Sequence, residues 1–180
     1  MRTARPYALR HALYALLGAG FCVALGAGVA QAGEARDATQ AFGANCFSPF
    51  MTASRAASRL GGTGARYDFY DLDPFSNVAP SPATGRAVTP GTDRRCEVSF
   101  DGAFTEMAIE ATLGALAREG IMTEAQVPAS YTQTSGTALL AARQLNPARV
   151  AVVHIGTRPG PAGTETFMFV ERLVPSNIQN

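Results

Sequence analysis

The sequence contains no lysine and only two histidines, His11 and His154. Without lysine the chain cannot form a phosphate-binding loop of the GxxxxGK type, a Schiff base or a Ser-x-x-Lys acyl-enzyme. His11 lies in the N-terminal leader described next. One remaining histidine cannot supply an HExxH site or a three-histidine zinc site, and no GxGxxG fingerprint occurs. We therefore expect no metal centre and no cofactor.

Residues 1–32 have the pattern of a secretory signal peptide. Three arginines precede an apolar stretch at residues 13–30, and Ala30-Gln31-Ala32 is the small-residue pattern after which signal peptidases cut. The alternative is a retained membrane anchor, because about 18 apolar residues is the lower limit for a spanning helix. Four glycines dilute the stretch, which favours cleavage after Ala32.

The mature chain would comprise residues 33–180, the size of one small domain. Loss of the three leader arginines leaves 12 arginines against 14 acidic residues, a formal charge of −2. A nucleic-acid partner requires clustered basic charge and is not expected. The abundance of Ala, Gly, Arg and Pro indicates a GC-rich bacterial gene. We expect a periplasmic or secreted protein that does not insert into the membrane once the signal is removed.

Two cysteines, Cys46 and Cys96, remain after cleavage and are predicted to form a disulfide. An even count in an oxidising compartment favours pairing over a redox or metal-binding role. In TDRRCEVSF, residues 92–100, strict alternation places Cys96 on one face with Val98 and Phe100, and Arg95, Glu97 and Ser99 on the other. A crosslink over this separation contributes on the order of 4 kcal/mol in the chain-entropy model.

Periodicity predicts an α+β fold in which two helices pack on an antiparallel sheet of about five strands. Ser48-Pro49 is read as N-cap and N1 of the first helix, which ends at Gly61-Gly62. Gly120 is placed to end the second helix. The predicted apolar stripes are Phe50, Ala53, Ala57 and Leu60 in the first helix, and Ile109, Leu113 and Leu116 in the second.

Strand-like patterns occur at residues 65–73, 92–100, 149–157 and 164–173, and the last two suggest an antiparallel meander. The segment TALLAARQ, residues 137–144, fits either a third meander strand or one or two helical turns. Between the first two strands, residues 73–92 hold four prolines and two glycines and are predicted to form a long loop. This loop is either a contact surface or an inert connection.

Three residues are candidates for catalysis. His154 could act as a general base, but no GxSxG elbow occurs, and alternation places His154 beside Val150 and Val152, where a structural role is favoured. Glu106 and Glu110, spaced i and i+4, could form a carboxylate pair as in glycoside hydrolysis. Acidic residues near a helix N-terminus are also favoured by the helix dipole, so a solvated face is the favoured interpretation of this pair.

Other charged residues are candidates for binding ions. Arg55 and Arg59, one turn apart on the first helix, and Arg86 in the loop could bind an anion. Asp68, Asp71 and Asp73 suggest calcium, but alternation points Asp68 away from the other two, and the EF-hand spacing is absent. A solvated helix face is the alternative account of Arg55 and Arg59.

From these patterns we expect a small binding or accessory domain that does not catalyse a reaction. Its partner would be an unidentified protein or small ligand in the periplasm or outside the cell. The alternative is a periplasmic hydrolase that uses His154 or the Glu106/Glu110 pair. An enzyme requires these groups to converge in a concave pocket with other polar groups.

We predict that the exported protein begins at Gly33 and contains no free thiol. The cleavage pattern ends at Ala32, and both remaining cysteines are consumed by one disulfide. Intact mass and thiol titration of protein taken from its native compartment measure both features. A retained leader, or two titratable cysteines, would contradict this prediction.

Overall fold

The structure is a computed structural model, and it describes residues 30–71, 92–129 and 131–173. The chain divides into two units, Met1–Gly33 and Glu34–Asn180. Among the described residues, three α-helices pack with a six-stranded antiparallel sheet. The fold class is therefore α+β, as predicted. None of the helices described is long and apolar enough to cross a membrane.

The helices are α1 (residues 30–45), α2 (Ala53–Arg59) and α3 (Thr105–Arg118), and a 3₁₀ turn, Gly61–Thr63, follows α2. The strands are β1 (Arg66–Asp71), β2 (Thr92–Asp101), β3 (Glu124–Ala125), β4 (Thr137–Asn146), β5 (Arg149–Gly160) and β6 (Gly163–Leu173). Their order in the sheet is β1-β2-β6-β5-β4-β3. The strands β4 to β6 form the predicted meander, and TALLAARQ belongs to strand β4 rather than to a helix.

The prediction of two helices and about five strands was one helix and one strand short. The additional helix is α1, which buries small residues and one ring, Ala35, Ala38 and Phe42, instead of a leucine stripe. The additional strand is β3, whose two residues are too few to produce an alternating pattern. Neither element has a strong sequence pattern for its secondary structure. Contacts with the rest of the fold therefore determine both of them.

Helix α2 begins four residues later than predicted. Thr52 is its N-cap, since the Thr52 hydroxyl accepts a hydrogen bond from the backbone N–H of Arg55 at 3.3 Å. The Ser48 hydroxyl instead accepts from the N–H of Phe50 at 3.2 Å and stabilises a turn. Phe50 is consequently 74% exposed rather than part of the core stripe. The buried residues of this region are Met51, Ala56 and Leu60, and Ala57 is exposed.

Helix α3 ends where Gly120 predicts. Gly120 has φ +69°, a left-handed conformation that glycine adopts without steric cost. Its N–H donates to the carbonyl of Ala117 at 3.2 Å, and the N–H of Ile121 donates to the carbonyl of Leu116 at 2.9 Å. These two bonds are the Schellman pattern that closes a helix C-terminus.

The buried face of α3 differs from the predicted one. Leu113 is 42% exposed, so its assignment to the core was wrong. The buried residues are Ala108, Thr112, Ala115 and Leu116. A Cβ atom on Gly43 of α1 would lie 3.3 Å from the Cβ atom of Ala115. The two helices therefore approach closely through small side chains, which a search for leucine periodicity does not detect.

The predicted disulfide between Cys46 and Cys96 is present and joins the turn after α1 to the middle of β2, with 5.5 Å between the two Cα atoms. Cys96 lies on the helix-facing side of the sheet together with Val98 and Phe100, as alternation predicts. The opposite side of β2 carries Arg95, Glu97 and Ser99, and these polar side chains are buried as well. Strand β2 is thus covered on both faces.

We predict that Leu116→Ala lowers the free energy of unfolding by about 2 to 5 kcal/mol, because Leu116 is fully packed in the core. The matched change Leu113→Ala should cost less than about 1 kcal/mol, because much of that side chain already contacts water. Urea denaturation of both variants measures the difference. Equal losses, or a larger loss for Leu113→Ala, would show that α3 presents a different face to the sheet.

Candidate functional site

A network of ion pairs connects β1, β2, β5 and β6 on the helix-facing side. Arg94 forms a bidentate pair with Asp71, with N–O distances of 3.1 and 2.7 Å. Arg172, which faces Arg94 across the β2–β6 ladder, donates from Nε to Asp93 at 2.6 Å and lies 3.7 Å from Asp71. Arg149 also donates to Asp93 at 2.6 Å. Within the part of the chain that the structure describes, three guanidinium groups therefore contact these two carboxylates.

A β-bulge places Asp93 in this network. The β2–β6 register shifts between Thr92 and Arg94, so no residue of β6 lies directly opposite Asp93. An extra residue of this kind bends a strand and redirects its side chain. Here the redirected carboxylate reaches both Arg149 and Arg172.

The Arg94 guanidinium is held rigidly. In addition to the Asp71 pair, its Nη1 donates to the carbonyl of Ser48 at 3.0 Å, and its Nη2 donates to that of Met51 at 3.5 Å. The guanidinium carbon lies 5.9 Å from the centroid of the Phe69 ring, within cation–π range. Arg94 is only 5% exposed. These bonds use four of its five N–H groups, and the fifth, on Nη1, has no hydrogen-bond partner within residues 30–71, 92–129 and 131–173.

A cleft of about 380 Å³ lies beside this network and beside the disulfide. Its apolar lining consists of Cys46, Phe47, Pro49, Ile121, Leu145, Ala151 and Val170, and its polar lining of Arg94, Glu119, Asn146 and Arg172. Mostly apolar walls with a few polar groups, at this volume, are typical of pockets for small ligands.

Local structure explains how the cleft is formed. The disulfide fixes the chain after α1, so that Phe47 and Pro49 form one wall. The Schellman turn at Gly120 directs Ile121 into another wall. Two large exposed apolar side chains, Phe50 and Met122, directly follow lining residues in sequence, with exposures of 74% and 62%. Exposed apolar residues of this size beside a concave site are typical of a contact surface.

A second network of ion pairs lies on the opposite face of the sheet. Arg66 contacts Glu165 at 2.6 Å and Asp101 at 2.8 Å. Arg158 pairs with Glu165 and contacts Glu97 at 2.9 Å. Each charge in this group lies against an opposite charge, as the burial of Glu97 and Glu165 requires.

His154 lies on this second face, fully buried between the rings of Phe167 and Phe169. The Thr137 hydroxyl donates its only hydrogen to the carbonyl of Thr134 at 2.6 Å, so it accepts from Nε2–H of His154, also at 2.6 Å. Nδ1 is therefore unprotonated and accepts from the Tyr131 hydroxyl at 3.3 Å. Both ring nitrogens are thus bonded inside the protein.

The segment that carries Thr137 and Tyr131 is positioned by a close backbone approach. Gly136 has φ +80°, and a Cβ atom there would lie 2.1 Å from the carbonyl oxygen of Thr157. Only glycine fits at this position, where its carbonyl accepts a hydrogen bond from the N–H of Thr157 at 2.9 Å. Burial, together with the nearby Glu171 carboxylate, raises the pKa of Tyr131, so its hydroxyl remains a hydrogen-bond donor.

The other described candidates from the sequence are not among the lining residues of the cleft. Glu106 and Glu110 are exposed on α3, and Arg55 and Arg59 are exposed on α2, where Arg55 donates to the carbonyl of Phe50 at 2.8 Å. Neither His154 nor any of these four residues belongs to the described lining. Arg86 and most of the predicted loop, residues 73–91, lie outside the described residues, and Thr92 is the first residue of β2.

Two of the three aspartates that suggest calcium, Asp68 and Asp71, form ion pairs on different faces of β1. Asp68 pairs with Arg95, and Asp71 pairs with Arg94, as expected from alternation. Asp73 lies outside the described residues. The part of the chain that the structure describes contains no group of three or more His, Cys, Asp or Glu residues able to hold a metal ion.

Sequence reasoning missed the residues that form the cleft. Arg94 precedes Cys96 by two positions in a predicted strand, so alternation already placed it on the same face as the disulfide. That signal was available and went unused. The position of Arg172 depends on the pairing of β2 with β6, and Ile121 reaches the cleft through the packing of α3, which no local pattern specifies.

Stability should depend on pH through His154. Burial lowers the pKa of this histidine from 6.5 to about 4. Between these values the unfolded chain binds a proton that the folded protein does not, so stability falls as the pH decreases from 6.5 towards 4. We predict that the stability advantage of the wild type over His154→Gln shrinks by about 2 to 3 kcal/mol between pH 7.5 and 4.5.

Urea denaturation of both proteins at several pH values measures this difference. The carboxylates are common to the two proteins, so their titration cancels in the comparison. If the stabilities of the two proteins change in parallel with pH, the pKa of His154 is not lowered in the folded state.

Comparison of the chain with protein-family models, with curated proteins and with solved structures finds no match.

Proposed function

We propose that this chain is a small exported binding domain, periplasmic or secreted, that holds a small ligand in the cleft beside the Cys46–Cys96 disulfide. The cleft itself carries the proposal: about 380 Å³ of concave space with predominantly apolar walls and a few fixed polar groups. Such a site excludes water from an apolar ligand and orients it through one or two polar contacts. The domain would act by binding and not by catalysis.

The positions of the catalytic candidates support binding over hydrolysis. A hydrolase requires a base or a carboxylate pair to face the space that a substrate occupies. The hydrogen bonds of His154 are directed to Tyr131 and Thr137, and the two glutamates lie on the exposed surface of α3. None of these residues is in the described lining of the cleft.

Export is supported by two features of different kind. The N-terminal residues have the charge, apolar stretch and cleavage pattern of a signal peptide. The Cys46–Cys96 bond is stable in an oxidising compartment and would be reduced in most bacterial cytosols. A ligand-binding domain in this location would meet small molecules from outside the cytoplasm.

We predict that the purified protein binds one molecule of N-phenyl-1-naphthylamine, a neutral dye that fluoresces in apolar sites. Leu145→Trp should abolish saturable binding, because the larger ring occupies the cleft from its half-buried wall. The matched control Leu113→Trp places the same ring on the exposed face of α3 and should bind the dye as the wild type does. Fluorescence titration measures the stoichiometry and affinity.

Two results would contradict the proposal. The first is an absence of saturable dye binding by the folded wild type. The second is unchanged binding by folded Leu145→Trp, which would place the dye elsewhere on the molecule. Circular dichroism and a thermal melt establish that each variant is folded before it is titrated.

A further inference from the structure

We propose that His154 is an acid-sensitive latch: its neutral imidazole fastens residues 131–137, the latch segment, to the sheet, and uptake of a proton by the imidazole releases this segment. The latch lies on the face of the sheet opposite the cleft and does not depend on the proposed ligand. Three observations support it: one ring bonds both ends of the segment, the hydrogen bonds require a neutral ring, and the neighbours of the ring are apolar.

One imidazole holds both ends of the latch segment. The Tyr131 hydroxyl lies 3.3 Å from Nδ1 of His154, and the Thr137 hydroxyl lies 2.6 Å from Nε2. Between these ends, the carbonyl of Gly136 accepts a hydrogen bond from the N–H of Thr157 at 2.9 Å. His154 therefore supplies two of the hydrogen bonds that join the segment to β5, and one change in its ring affects both ends.

The hydrogen bonds of the ring require its neutral form. The Thr137 hydroxyl donates to the carbonyl of Thr134 at 2.6 Å, so its oxygen accepts the hydrogen of Nε2 of His154. A neutral imidazole has one N–H, and Nδ1 therefore presents a lone pair to the Tyr131 hydroxyl. Protonation puts a hydrogen on Nδ1, where it faces the hydrogen of this hydroxyl. Two donors do not bond to each other, so protonation breaks the contact unless the hydroxyl turns.

Turning the hydroxyl does not restore the original arrangement. The oxygen of Tyr131 would accept from Nδ1, but its hydrogen would then need a new acceptor. Among the described residues, His154 is the only hydrogen-bond partner of this hydroxyl. A donor that loses its acceptor inside a protein is destabilising. If a carboxylate such as that of Glu171 took this hydrogen, the latch would stay closed in acid, and the experiment below detects that outcome.

The neighbours of the ring disfavour its charged form while the latch is closed. The fully buried imidazole lies between Phe167 and Phe169, with ring centroids 5.1 and 4.9 Å away, and Leu140 is opposite it on β4. Burial lowers the pKa of His154 to about 4. An imidazole that is exposed to water has a pKa of about 6.5. Protons therefore bind preferentially to the open form and shift the equilibrium towards it.

The charged and titratable groups on this face do not change this preference through direct bonds to the ring. They are Tyr131 in the segment, Arg158 on β5, Glu165 and Glu171 on β6, and Arg95 and Glu97 on β2. Arg158 contacts both Glu97 and Glu165, and Arg95 lies 3.9 Å from Glu171. Among the described residues, no carboxylate forms an ion pair with the imidazole, whose nitrogens contact two hydroxyl groups.

Release of the segment would uncover apolar surface. The Tyr131 ring lies 6.5 Å from that of Phe169, centroid to centroid, and packs on a small hydrophobic cluster. The buried members of this cluster are Ala142, Val150, Val152 and Leu173. Exposing this surface to water is unfavourable, which keeps the latch closed at neutral pH. The closed and open forms therefore differ in how much of this sheet face is covered.

Hydrogen exchange of single backbone amides, followed by NMR, measures the opening of the segment. The reporters are the N–H groups of Tyr131, Thr137 and Thr157, which form hydrogen bonds within the segment or at its ends. Division by the exchange rate of an unstructured peptide at the same pH gives the equilibrium constant for opening. We expect this constant to rise about 30-fold between pH 7.5 and 5.0, because the open form binds a proton with a pKa near 6.5 and the closed form with a pKa of about 4.

Two controls separate the latch from other effects of acid. The amides of Val98 and Met168, which are paired at the centre of the sheet, report global unfolding. Their opening constants should be at least about tenfold smaller than those of the reporters, and low urea concentrations should change only the constants of Val98 and Met168. In His154→Gln, whose side chain does not titrate, the reporter constants should stay within about twofold between pH 7.5 and 5.0.

Each alternative outcome is distinct. Reporter constants that do not change with pH, that equal those of Val98 and Met168, or that rise as steeply in folded His154→Gln would each overturn the inference. If the variant does not fold, the wild-type profile decides. A rise that begins near pH 6.5 supports the latch, whereas a rise that begins only below about pH 5, where carboxyl groups titrate, overturns it. Dye binding in the cleft tests the proposed function separately from all of these results.

Discussion

The Cys46–Cys96 disulfide connects the parts of the molecule on which the cleft depends. Cys96 and Arg94 lie two residues apart on one face of β2, and the chain that follows Cys46 supplies the carbonyls of Ser48 and Met51 to Arg94. A buried guanidinium requires such acceptors, because it loses its hydration when it is covered. The crosslink contributes about 4 kcal/mol by restricting the unfolded chain, a large part of the stability of a small domain. It thus keeps a charged group and its acceptors together in the folded state.

The different side chains on the two faces of β2 strongly specify the register of this strand in the sheet. Arg95 and Glu97 are buried against partners on β1, β5 and β6, while Cys96 and Val98 pack under the helices. A slip of one residue would exchange the two faces and place unpaired charges in the hydrophobic core. Buried ion pairs contribute little net stability, since desolvation offsets much of the Coulomb attraction. A one-residue slip of this strand would remove the charges from the partners that they contact here.

The sequence features that predicted the fold correctly are local ones. The cysteine count specified the disulfide, alternation assigned Cys96 and Val98 to one face, and Gly120 marked the end of α3. The errors arose where two local signals compete or where packing decides. Thr52 caps α2 in preference to Ser48, although both residues are suitable caps. Leu113 faces outwards because α1 and α3 approach each other through small residues, and only the packed structure shows this approach.

The candidate site was harder to predict because its residues are joined by strand pairing and helix packing rather than by spacing. His154 was the residue that sequence reasoning could identify, and its two ring nitrogens are already bonded to Tyr131 and Thr137. A group whose hydrogen bonds are all made internally has nothing left to offer a ligand. Arg94 differs, since one of its N–H groups has no partner among the described residues and the residue lines a concave surface. Among the described residues the arginine, and not the histidine, therefore has a donor left for a ligand, although histidine is the more common catalytic residue.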